Sequence, residues 1–316
     1  MHVLFIDTVH PSLAGELKAM GFQVAEGYGL SKKECSDFFR TKEGGVVIRG
    51  KFNLDREWIE AAEGLKFIAR FGSGMEHIDT AYAKEKGIAC LSSPEGNRDA
   101  LGDHTLGMLL MLLNHLQTVN EEVRAGIWKR EENRGTELNA LVVGLIGYGN
   151  MGSAFAKRLL GFDCEVLVYD PFIRVENFPS SHYKQVSLEE LQKKADIVSF
   201  HVPLNESTRS YANKKFLYGF EKNIIVINTS RGPVVETAAL LDAMEENKVR
   251  GACLDVLDFE EENFETVKSW SEDKNWLRLI SKKEIILSPH IAGWSHQSNE
   301  KMAVMLSQKI NALQLL

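Results

Sequence analysis

The stretch that decides the fold is residues 141–161, LVVGLIGYGNMGSAFAKRLLG. Its apolar start, residues 141–146, predicts a buried strand, and residues 153–160 predict a helix that Gly161 closes at its C-terminus. Between them stands the pattern G-x-G-x-x-G. Its first glycine permits a tight turn, the second lets the backbone approach a pyrophosphate, and the third lets the helix pack on the strand. The N–H groups at the start of the helix would hold the anion. The motif therefore predicts a dinucleotide-binding loop made of Gly147, Tyr148, Gly149, Asn150, Met151 and Gly152.

Asp170 narrows the choice of dinucleotide. It stands 18 residues after Gly152, at the end of the next strand-like run, residues 166–169. A carboxylate at that place can accept hydrogen bonds from both ribose hydroxyls and repels a 2′-phosphate, which favours NAD over NADP. The alternative is that Asp170 only begins the turn Asp170-Pro171.

Strand-length apolar runs alternate with amphipathic stretches on both sides of the loop. This alternation is typical of parallel sheets with crossover helices, so we predict an α/β fold with two Rossmann-like doubly wound lobes. Residues 99–119 predict a buried helix that joins the lobes, and residues 299–316 predict a helix that returns to the first lobe. The nucleotide-binding lobe, residues 98–290, is then inserted into a discontinuous substrate-binding lobe of residues 1–97 and 291–316.

The predicted elements follow the same alternation. Ser187 with Glu190 forms a capping-box pattern that opens a helix at residues 188–195, and a further helix is predicted at residues 11–20. The predicted strands are residues 3–6, 46–48, 65–69, 88–91, 141–146, 166–169, 197–200, 224–228, 252–256 and 285–287.

The composition excludes several classes of protein. The chain has 316 residues and a net charge of −7, so it has length for a large core and no basic surface for nucleic acid. The apolar run at residues 108–113 is too short to span a bilayer, and no basic leader precedes the first strand. We therefore expect a cytoplasmic protein with no membrane partner. The cysteines form no C-x-x-C pair, so we expect reduced, mostly buried thiols and no metal: Cys35, Cys90, Cys164 and Cys253.

Three further strand ends carry polar side chains at the edge where doubly wound sheets bind ligands. Arg231 follows the strand at residues 224–228, and its guanidinium can grip a carboxylate with two hydrogen bonds. Glu260 follows the next strand, and His290 follows the last one, where an imidazolium can donate a proton near neutral pH. Because reduction of a carbonyl needs a hydride on carbon and a proton on oxygen, the combination indicates an oxidoreductase.

Each of these three residues also has an ordinary interpretation. Arg231 can be a surface ion pair, Glu260 a solvated acid beside Glu261 and Glu262, and His290 a capped loop residue. Taken together, however, N-T-S-R-G-P at residues 228–233, G-A-C-L-D-V at 251–256, S-P-H-I-A-G at 288–293 and the glycine loop resemble the D-isomer-specific 2-hydroxyacid dehydrogenases. The resemblance covers nearly the whole chain, in order.

The resemblance implies NAD as cofactor and transfer of a hydride to and from C2 of a small 2-hydroxy acid. It implies that Arg231, Glu260 and His290 form the catalytic set. The backbone amides of a Gly-rich loop, Phe71, Gly72, Ser73 and Gly74, would bind the substrate carboxylate. Beside the glycine loop, the residues implied to contact the cofactor are Asp170, His201, Val202, Pro203, Thr208, Thr229, Ser230, Asp255 and Gly293.

Within that family the resemblance is greatest to the short D-3-phosphoglycerate dehydrogenases, which lack a regulatory domain and serve serine biosynthesis. It rests on V-I-R at residues 47–49, G-N at 96–97 and W-K-R at 128–130. It implies that Arg49 meets the substrate phosphate, that Asn97 lines the pocket, and that Arg130 reaches in from the second subunit of a homodimer. Together with Lys51 and Arg98, these arginines would supply the cations that a phosphate needs. The alternative is that Arg49 and Arg130 are ordinary surface charges.

Some positions depart from the pattern of that subfamily. Gly50 stands where a serine is common, residues 261–283 are longer and more charged than expected, and Trp294 replaces a small residue and would narrow the pocket. The second candidate substrate is therefore hydroxypyruvate, glyoxylate or another unphosphorylated 2-keto acid. A more distant alternative is a non-catalytic, NAD-sensing scaffold of the corepressor type, against which the complete Arg, Glu and His set argues.

Overall fold

The computed structural model describes residues 1–260 and 273–315. The described residues form two compact units, one of residues 1–98 and 294–315 and one of residues 99–260 and 273–293. The second unit is thus inserted into the first along the chain, and each unit has its own parallel sheet. The predicted α/β fold with two doubly wound lobes is confirmed. The predicted domains, with their bounds at residues 97/98 and 290/291, stay a prediction.

The elements alternate along almost the whole described chain. The strands are β1 (His2–Phe5), β2 (Gln23–Glu26), β3 (Gly44–Ile48), β4 (Leu65–Arg70), β5 (Ala89–Ser92), β6 (Val142–Ile146), β7 (Glu165–Tyr169), β8 (Tyr183–Gln185), β9 (Ile197–Phe200), β10 (Ile224–Asn228), β11 (Val249–Leu254) and β12 (Ile285–Leu287). The α-helices are α1 (Pro11–Ala19), α2 (Lys32–Thr41), α3 (Arg56–Ala61), α4 (Thr80–Glu85), α5 (Pro94–Leu113), α6 (Leu116–Arg124), α7 (Asn150–Leu159), α8 (Leu188–Lys194), α9 (Lys214–Tyr218), α10 (Thr237–Glu245), α11 (Lys274–Ile280) and α12 (His296–Asn311).

The sheet of the first unit has five parallel strands in the order β2-β1-β3-β4-β5. The chain order of the strands reverses between β1 and β3, and such a reversal opens a crevice at the carboxyl ends of the strands. Helix α12 belongs to this unit, since Met302, Leu306 and Ile310 share a buried cluster with Leu13 and Leu17 of α1. The predicted return of the C-terminal helix to the first lobe is confirmed.

The sheet of the second unit has seven parallel strands in the order β12-β11-β10-β9-β6-β7-β8. The inner strand β10 is buried on both faces, with Ile224 and Val226 in one apolar cluster and Ile225 and Ile227 in the other. Each such side chain contributes about 1.5–3 kcal/mol relative to leaving it exposed. In this sheet the strand order reverses between β6 and β9.

Two short strands were not predicted. Strands β2 and β8 have the sequences QVAE and YKQ, and each forms an edge of its sheet. Their solvent-facing residues are polar and their lengths are only four and three residues, so hydrophobic periodicity carries little signal there.

Two predictions about helices were wrong. Residues 99–119 are not one helix: α5 begins at Pro94, and His115 adopts a left-handed backbone with φ 52° that separates α5 from α6. Gly161 does not close α7, because a 3-10 turn at Leu160–Phe162 continues the helix and Asp163 takes the left-handed conformation with φ 53°. Both left-handed positions are occupied by residues other than glycine. Sequence rules expect glycine at such positions and therefore did not predict them.

The remaining predictions concern caps and composition. Ser187 caps α8, its Oγ accepting from the Glu190 N–H at 3.1 Å, while the Glu190 carboxylate pairs with Lys194 at 2.7 Å. The four cysteines are free thiols; three are buried and Cys90 is partly buried. Among residues 1–260 and 273–315, no helix has the length and apolar character needed to cross a membrane, and no three metal-binding side chains are grouped.

Candidate active site

The glycine loop connects β6 to α7. Gly147 has φ 94°, and a Cβ there would lie 2.5 Å from the carbonyl oxygen of His201, while a Cβ on Gly152 would overlap the carbonyl oxygen of Gly147. These two glycines are required by the packing of the loop itself. Gly149 differs, since its φ is −73° and a Cβ there would meet nothing within 4 Å. Neither sterics nor backbone conformation requires glycine at 149. The lack of a side chain there instead suits the close approach of a ligand.

The start of α7 is suited to hold an anion. Among the described residues no side chain caps this helix. The first N–H groups of an α-helix have no partner within the helix, and they form the positive end of its dipole. The pyrophosphate of a dinucleotide fits this position.

His201 lies beneath the loop, at the end of β9, which pairs with β6. Its ring is fully buried, and burial lowers its pKa to about 3, so the imidazole is neutral. Its Nε2 is 2.9 Å from Ser199 Oγ, and its buried Nδ1 has no partner in the described part of the chain. Because β6 and β9 flank the reversal of strand order, His201 sits at the switch point of the second sheet.

The Asp170 carboxylate accepts three hydrogen bonds from other described residues. Its Oδ2 accepts from the Tyr148 N–H of the glycine loop at 2.8 Å, and its Oδ1 accepts from the N–H groups of Phe172 and Ile173 at 2.9 and 3.0 Å. The carboxylate therefore both begins the turn after β7 and joins that turn to the glycine loop. The predicted contact with a ribose stays a prediction.

The segment after β10 is held by the buried side chain of Asn228. Its Oδ1 accepts from the Ser230 N–H and hydroxyl, at 3.1 and 2.8 Å, and its Nδ2 donates to the carbonyl oxygen of Arg231 at 2.9 Å. A Cβ on Gly232 would overlap the carbonyl group of Leu257, so this segment packs directly on the loop after β11. The structure thus places Arg231 beside the loop that leads to Glu260.

Asp255 shapes the loop that carries His290. It is 2% exposed, and its carboxylate accepts from the Ser288 hydroxyl at 2.6 Å and from the N–H groups of Ile291 and Ala292 at 2.9 and 2.8 Å. Its own carbonyl oxygen accepts from the His290 N–H at 2.7 Å, and His290 is left-handed with φ 55°. Asp255 therefore fixes an unusual backbone around His290, a role that the sequence did not indicate. Its predicted contact with the cofactor stays a prediction.

The side chains of two predicted catalytic residues, His290 and Glu260, lie within hydrogen-bond distance of each other. His290 Nδ1 lies 2.7 Å from Glu260 Oε2, and the other oxygen, Oε1, accepts from the Leu257 N–H at 2.5 Å. The two side chains are 26% and 14% exposed. A carboxylate at this distance accepts a hydrogen bond from Nδ1–H. Nε2 is therefore the nitrogen that can exchange a proton. The neighbouring acids of the alternative interpretation, Glu261 and Glu262, lie outside the described residues.

In the first unit, Asp7 holds the loop after β3. Its Oδ2 accepts from three successive backbone N–H groups, those of Arg49, Gly50 and Lys51, at 2.6, 2.9 and 3.1 Å. Asp7 follows β1, so this contact lies at the switch point of the first sheet. The Lys51 ammonium donates to the carbonyl oxygens of Tyr28 and Leu30 at 2.6 and 2.9 Å. These two bonds hold the Lys51 ammonium on the backbone, and its expected role as a phosphate ligand stays a prediction.

The predicted carboxylate loop follows β4. Phe71 is buried, Gly72 has φ 143°, and its N–H donates to Ser93 Oγ at 3.3 Å. The Ser73 hydroxyl donates to Asn97 Oδ1 at 2.8 Å, so the structure brings two predicted substrate residues together. In the described part of the chain the N–H groups of Ser73 and Gly74 have no protein acceptor.

The other predicted residues lie at strand ends or in loops of the second unit. Thr229 and Ser230 are buried, and Thr229 Oγ1 accepts from Thr105 at 3.3 Å. Thr208 Oγ1 donates to the carbonyl oxygen of Pro203 at 2.6 Å and so ties the loop after β9. Val202 and Gly293 are half-buried, and Arg130 is exposed.

Sequence reasoning missed Asp7 and His104. His104 Nε2 lies 2.9 Å from Ser288 Oγ, beside Asp255, and thus supports the His290 loop. Asp7 was detectable, because an acidic residue directly after β1 meets the same strand-end criterion that selected Asp170. For His104 no signal existed, since a histidine inside an apolar helix is most often a core residue.

Comparison with known proteins defines the family. Residues 106–292 match the family model of the D-isomer specific 2-hydroxyacid dehydrogenase, NAD binding domain, and this range is more than half of the 316 residues. The chain therefore belongs to the D-isomer specific 2-hydroxyacid dehydrogenases, which are NAD-dependent oxidoreductases. The predicted family, cofactor and enzyme class are confirmed.

Two curated relatives have different substrates in their names. The hydroxypyruvate reductase of Thermotoga maritima is 32% identical over 265 residues, which are 84% of this chain and 83% of the relative. The D-3-phosphoglycerate dehydrogenase of Methanocaldococcus jannaschii is 34% identical over 310 residues, which are 98% of this chain and 56% of the relative. The chain thus spans just over half the length of the phosphoglycerate dehydrogenases that it matches.

Solved structures agree with the fold. The D-lactate dehydrogenase of Aquifex aeolicus, in complex with NAD and lactic acid, has a TM-score of 0.83 at 27% identity and matches 99% of this chain and 95% of that one. A protein of Thermus thermophilus has a TM-score of 0.81 at 31% identity, over 99% of this chain and 97% of that one. The names of the two curated relatives and of the Aquifex aeolicus enzyme contain different acids, so the similarity defines the family and not the acid.

Proposed function

We propose that this chain interconverts a D-2-hydroxy acid and its 2-keto acid with NAD, and that the substrate pair is 3-phosphoglycerate and 3-phosphohydroxypyruvate. The observation that supports the reaction best is the 2.7 Å contact between His290 Nδ1 and Glu260 Oε2. It provides a proton donor and acceptor of fixed orientation, which carbonyl reduction requires. The surrounding loop is held by Asp255, which is buried and whose carboxylate accepts three hydrogen bonds.

The second unit would hold the cofactor. The uncapped start of α7 and the open side of Gly149 suit the pyrophosphate, and the Asp170 carboxylate suits the ribose. When bound there, NADH would supply the hydride that C2 of the keto acid accepts. His201 stays neutral, so it adds no charge beneath the loop.

His290 moves the proton. In reduction its Nε2–H donates to the carbonyl oxygen as C2 becomes an alcohol carbon, and in oxidation the neutral Nε2 takes the hydroxyl proton. Glu260 keeps Nδ1 protonated in both directions and stabilises the imidazolium, as the third group of a catalytic triad does.

Two groups would bind the carboxylate and polarise the carbonyl. Arg231, whose backbone is fixed by Asn228, donates to the substrate carboxylate and places positive charge near the C2 oxygen. The family resemblance also assigns the substrate carboxylate to the backbone around Ser73 and Gly74, whose N–H groups lack a protein acceptor in the described chain.

The phosphate would be bound by cations of two subunits. Arg49 lies in the loop whose backbone N–H groups Asp7 binds. Arg130 is exposed on the second unit. We infer a homodimer in which Arg130 serves the site of the other subunit, as the family resemblance implies.

Hydroxypyruvate is the second candidate substrate. The Thermotoga maritima relative with that activity in its name covers 84% of this chain, and Lys51 is already bonded to two backbone carbonyls. The first observation favours hydroxypyruvate by similarity, and the second leaves a phosphate with one cation fewer.

Substitution of His290 tests the reaction. His290→Gln should lower kcat by about 10²–10⁴-fold, because it removes the general acid and base. NADH affinity, measured by fluorescence titration, should not change. His182→Gln alters an exposed histidine of the same unit and should keep full activity. A His290→Gln enzyme within tenfold of the wild-type kcat would contradict the proposed mechanism.

The substrate is tested by comparing kcat/KM for 3-phosphohydroxypyruvate and hydroxypyruvate. The proposal expects a preference for the phosphorylated acid that Arg49→Ala removes, because the guanidinium is the proposed phosphate ligand. Equal efficiency of the wild-type enzyme on both acids would exclude the phosphorylated substrate and favour the second candidate.

A further inference from the structure

Helix α5 carries a polar side chain, His104, that contacts the segment leading to His290. Its Nε2 lies 2.9 Å from Ser288 Oγ and 3.7 Å from Asp255 Oδ1, although His104 and Ser288 are 184 positions apart in the chain. These residues all belong to the second unit, and the His104 side chain is 27% exposed. The contact therefore fixes the orientation of a partly buried imidazole beside the proposed catalytic loop.

The direction of these hydrogen bonds follows from the number of protons. A hydroxyl has a single proton to donate. The Ser288 hydroxyl donates it to Asp255 Oδ1 at 2.6 Å, because a carboxylate is a far better acceptor than the thioether of Met108, whose Sδ is 3.5 Å away. Ser288 Oγ must then accept from His104 Nε2–H. The neutral Nε2–H tautomer and the imidazolium both have this donor, so the direction is the same for either charge of His104.

The hydrogen bonds continue from Asp255 to the backbone of His290. The Asp255 carboxylate accepts from the Ile291 N–H at 2.9 Å, and the Asp255 carbonyl oxygen accepts from the His290 N–H at 2.7 Å. His290 has a left-handed backbone with φ 55°, which a residue with a Cβ adopts at a cost and keeps only when its surroundings hold it. Through Ser288 and Asp255, His104 thus stabilises the backbone from which the imidazole of His290 extends.

We propose that His104 is a positioning residue for the reaction, and that its Nε2–H holds the Ser288 hydroxyl on Asp255 and so keeps His290 in its reactive place. Without that donor the Ser288 side chain is held from one side only. It can then change rotamer and withdraw its hydrogen bond from Asp255. Displacement of a reacting group by about 1 Å can cost about 100-fold in rate, so loss of a remote donor can slow proton transfer.

The inference rests on the proposed role of His290 and goes beyond it by adding a residue that acts through two others. It concerns the rate of the reaction and not only the stability of the loop. A residue with this role affects kcat, whereas the binding of NADH and of the keto acid should not depend on it.

The test compares side chains that keep or lose a donor at the place of Nε2. His104→Phe keeps a ring without the donor and should lower kcat about tenfold or more, with KM for hydroxypyruvate and 3-phosphohydroxypyruvate and the affinity for NADH changed less than about twofold. His104→Gln should recover most of kcat, because its amide nitrogen reaches as far along the side chain as Nε2 does. His104→Asn should not, because its amide nitrogen reaches only as far as Nδ1.

A double-mutant cycle tests the route through the hydroxyl. Ser288→Ala removes the group to which His104 donates and should lower kcat by a similar factor. In the Ser288→Ala background, His104→Phe should have little further effect, because both substitutions remove the same hydrogen bond.

His182→Phe is the matched control. It replaces an exposed histidine of the same unit with the same side chain, so kcat and both KM values should stay at the wild-type level. Thermal melting of each variant checks that the fold is intact. If His104→Phe does not fold, the smaller His104→Asn provides the comparison with His104→Gln.

The outcomes separate this proposal from the proposed reaction. If His290→Gln keeps its activity, both are wrong. If His290→Gln is inactive but a folded His104→Phe enzyme keeps kcat within about twofold, only the role of His104 is wrong. An equal loss of kcat in His104→Gln and His104→Phe would assign the effect to packing of the ring and contradict the role of the donor. Effects of His104→Phe and Ser288→Ala that multiply would contradict the route through Ser288.

Discussion

The two sheets have the same kind of switch point and use it in opposite ways. In the first, between β1 and β3, the Asp7 carboxylate accepts from the N–H groups of three successive residues after β3. In the second, between β6 and β9, the described residues supply no cap for α7, and Gly149 faces open space. The first switch point is closed by a protein anion. At the second, the Asp170 carboxylate accepts from the Tyr148 N–H, and the start of α7 is left for an anion that comes with a ligand. The strand order predicts where backbone N–H groups lie close together. Whether a nearby side chain accepts their hydrogen bonds then determines whether they stabilise the fold or are available to a ligand.

The largest expected effect follows from opening the closed switch point. Asp7→Ala removes the acceptor of three N–H groups and should lower the free energy of unfolding by about 2–3 kcal/mol, the range for hydrogen bonds to a charged group. Urea denaturation measures the change. Asp7→Asn keeps one acceptor oxygen and should recover part of it, and NADH affinity should be unchanged in both variants. A loss below about 0.5 kcal/mol in Asp7→Ala would mean that water satisfies the loop as well as the carboxylate does.

A methyl group at each switch point sharpens the comparison. Gly149 and Gly50 both have room for a Cβ within the protein, so neither alanine variant should change the melting temperature by more than about 2–4 °C, the equivalent of roughly 1 kcal/mol. Gly149→Ala should weaken NADH binding at least about tenfold, or about 1.4 kcal/mol, because the methyl group would occupy the space of the pyrophosphate. Gly50→Ala should leave NADH binding unchanged. Equal NADH affinity in both variants would show that the open side of Gly149 is not the pyrophosphate site.

The effect that is smallest at neutral pH concerns the charge beneath the open switch point. Burial lowers the pKa of His201 to about 3, below that of a histidine in the unfolded chain, so the unfolded state binds more protons. The part of the free energy of unfolding that depends on a neutral His201 is fully present above about pH 6.5. It is lost as pH falls, by up to about 1.4 kcal/mol per pH unit. His201→Gln should remove that slope between about pH 6 and pH 4 in denaturation experiments. His182→Gln changes an exposed histidine and should keep the slope.

The sequence predicts the open switch point better than the closed one. Strand β6, the glycine loop and α7 are consecutive in the chain, so a local pattern contains the whole feature. The same holds for the His290 loop, whose strand and P-H pair are contiguous. The contact of Asp7 with the loop after β3 joins residues 42 or more positions apart, and only the pairing of β1 with β3 brings them together.

Other features depended on tertiary structure for the same reason. The stacking of Trp294 on Arg49 joins two distant segments of the chain, so the sequence suggested only that a bulky residue stands there. The motif predicted Asp255 as a contact of the cofactor, but the motif does not indicate that its carboxylate accepts from the N–H groups of Ile291 and Ala292. Strand β8 was missed because an edge strand of three residues with two exposed side chains has no apolar period.

The position of α12 has a consequence for synthesis of the chain. Val3 and Met302 share one buried cluster although they are 299 positions apart, so the first unit cannot complete its core until helix α12 has left the ribosome. The second unit, whose described segments end at residue 293, can fold earlier. The entropic cost of closing so long a connection grows only logarithmically, by about 0.6 kcal/mol per doubling of length. The delay instead leaves Leu13 and Leu17 without their helical cover, which makes the nascent first unit the part of the chain most in need of protection from aggregation.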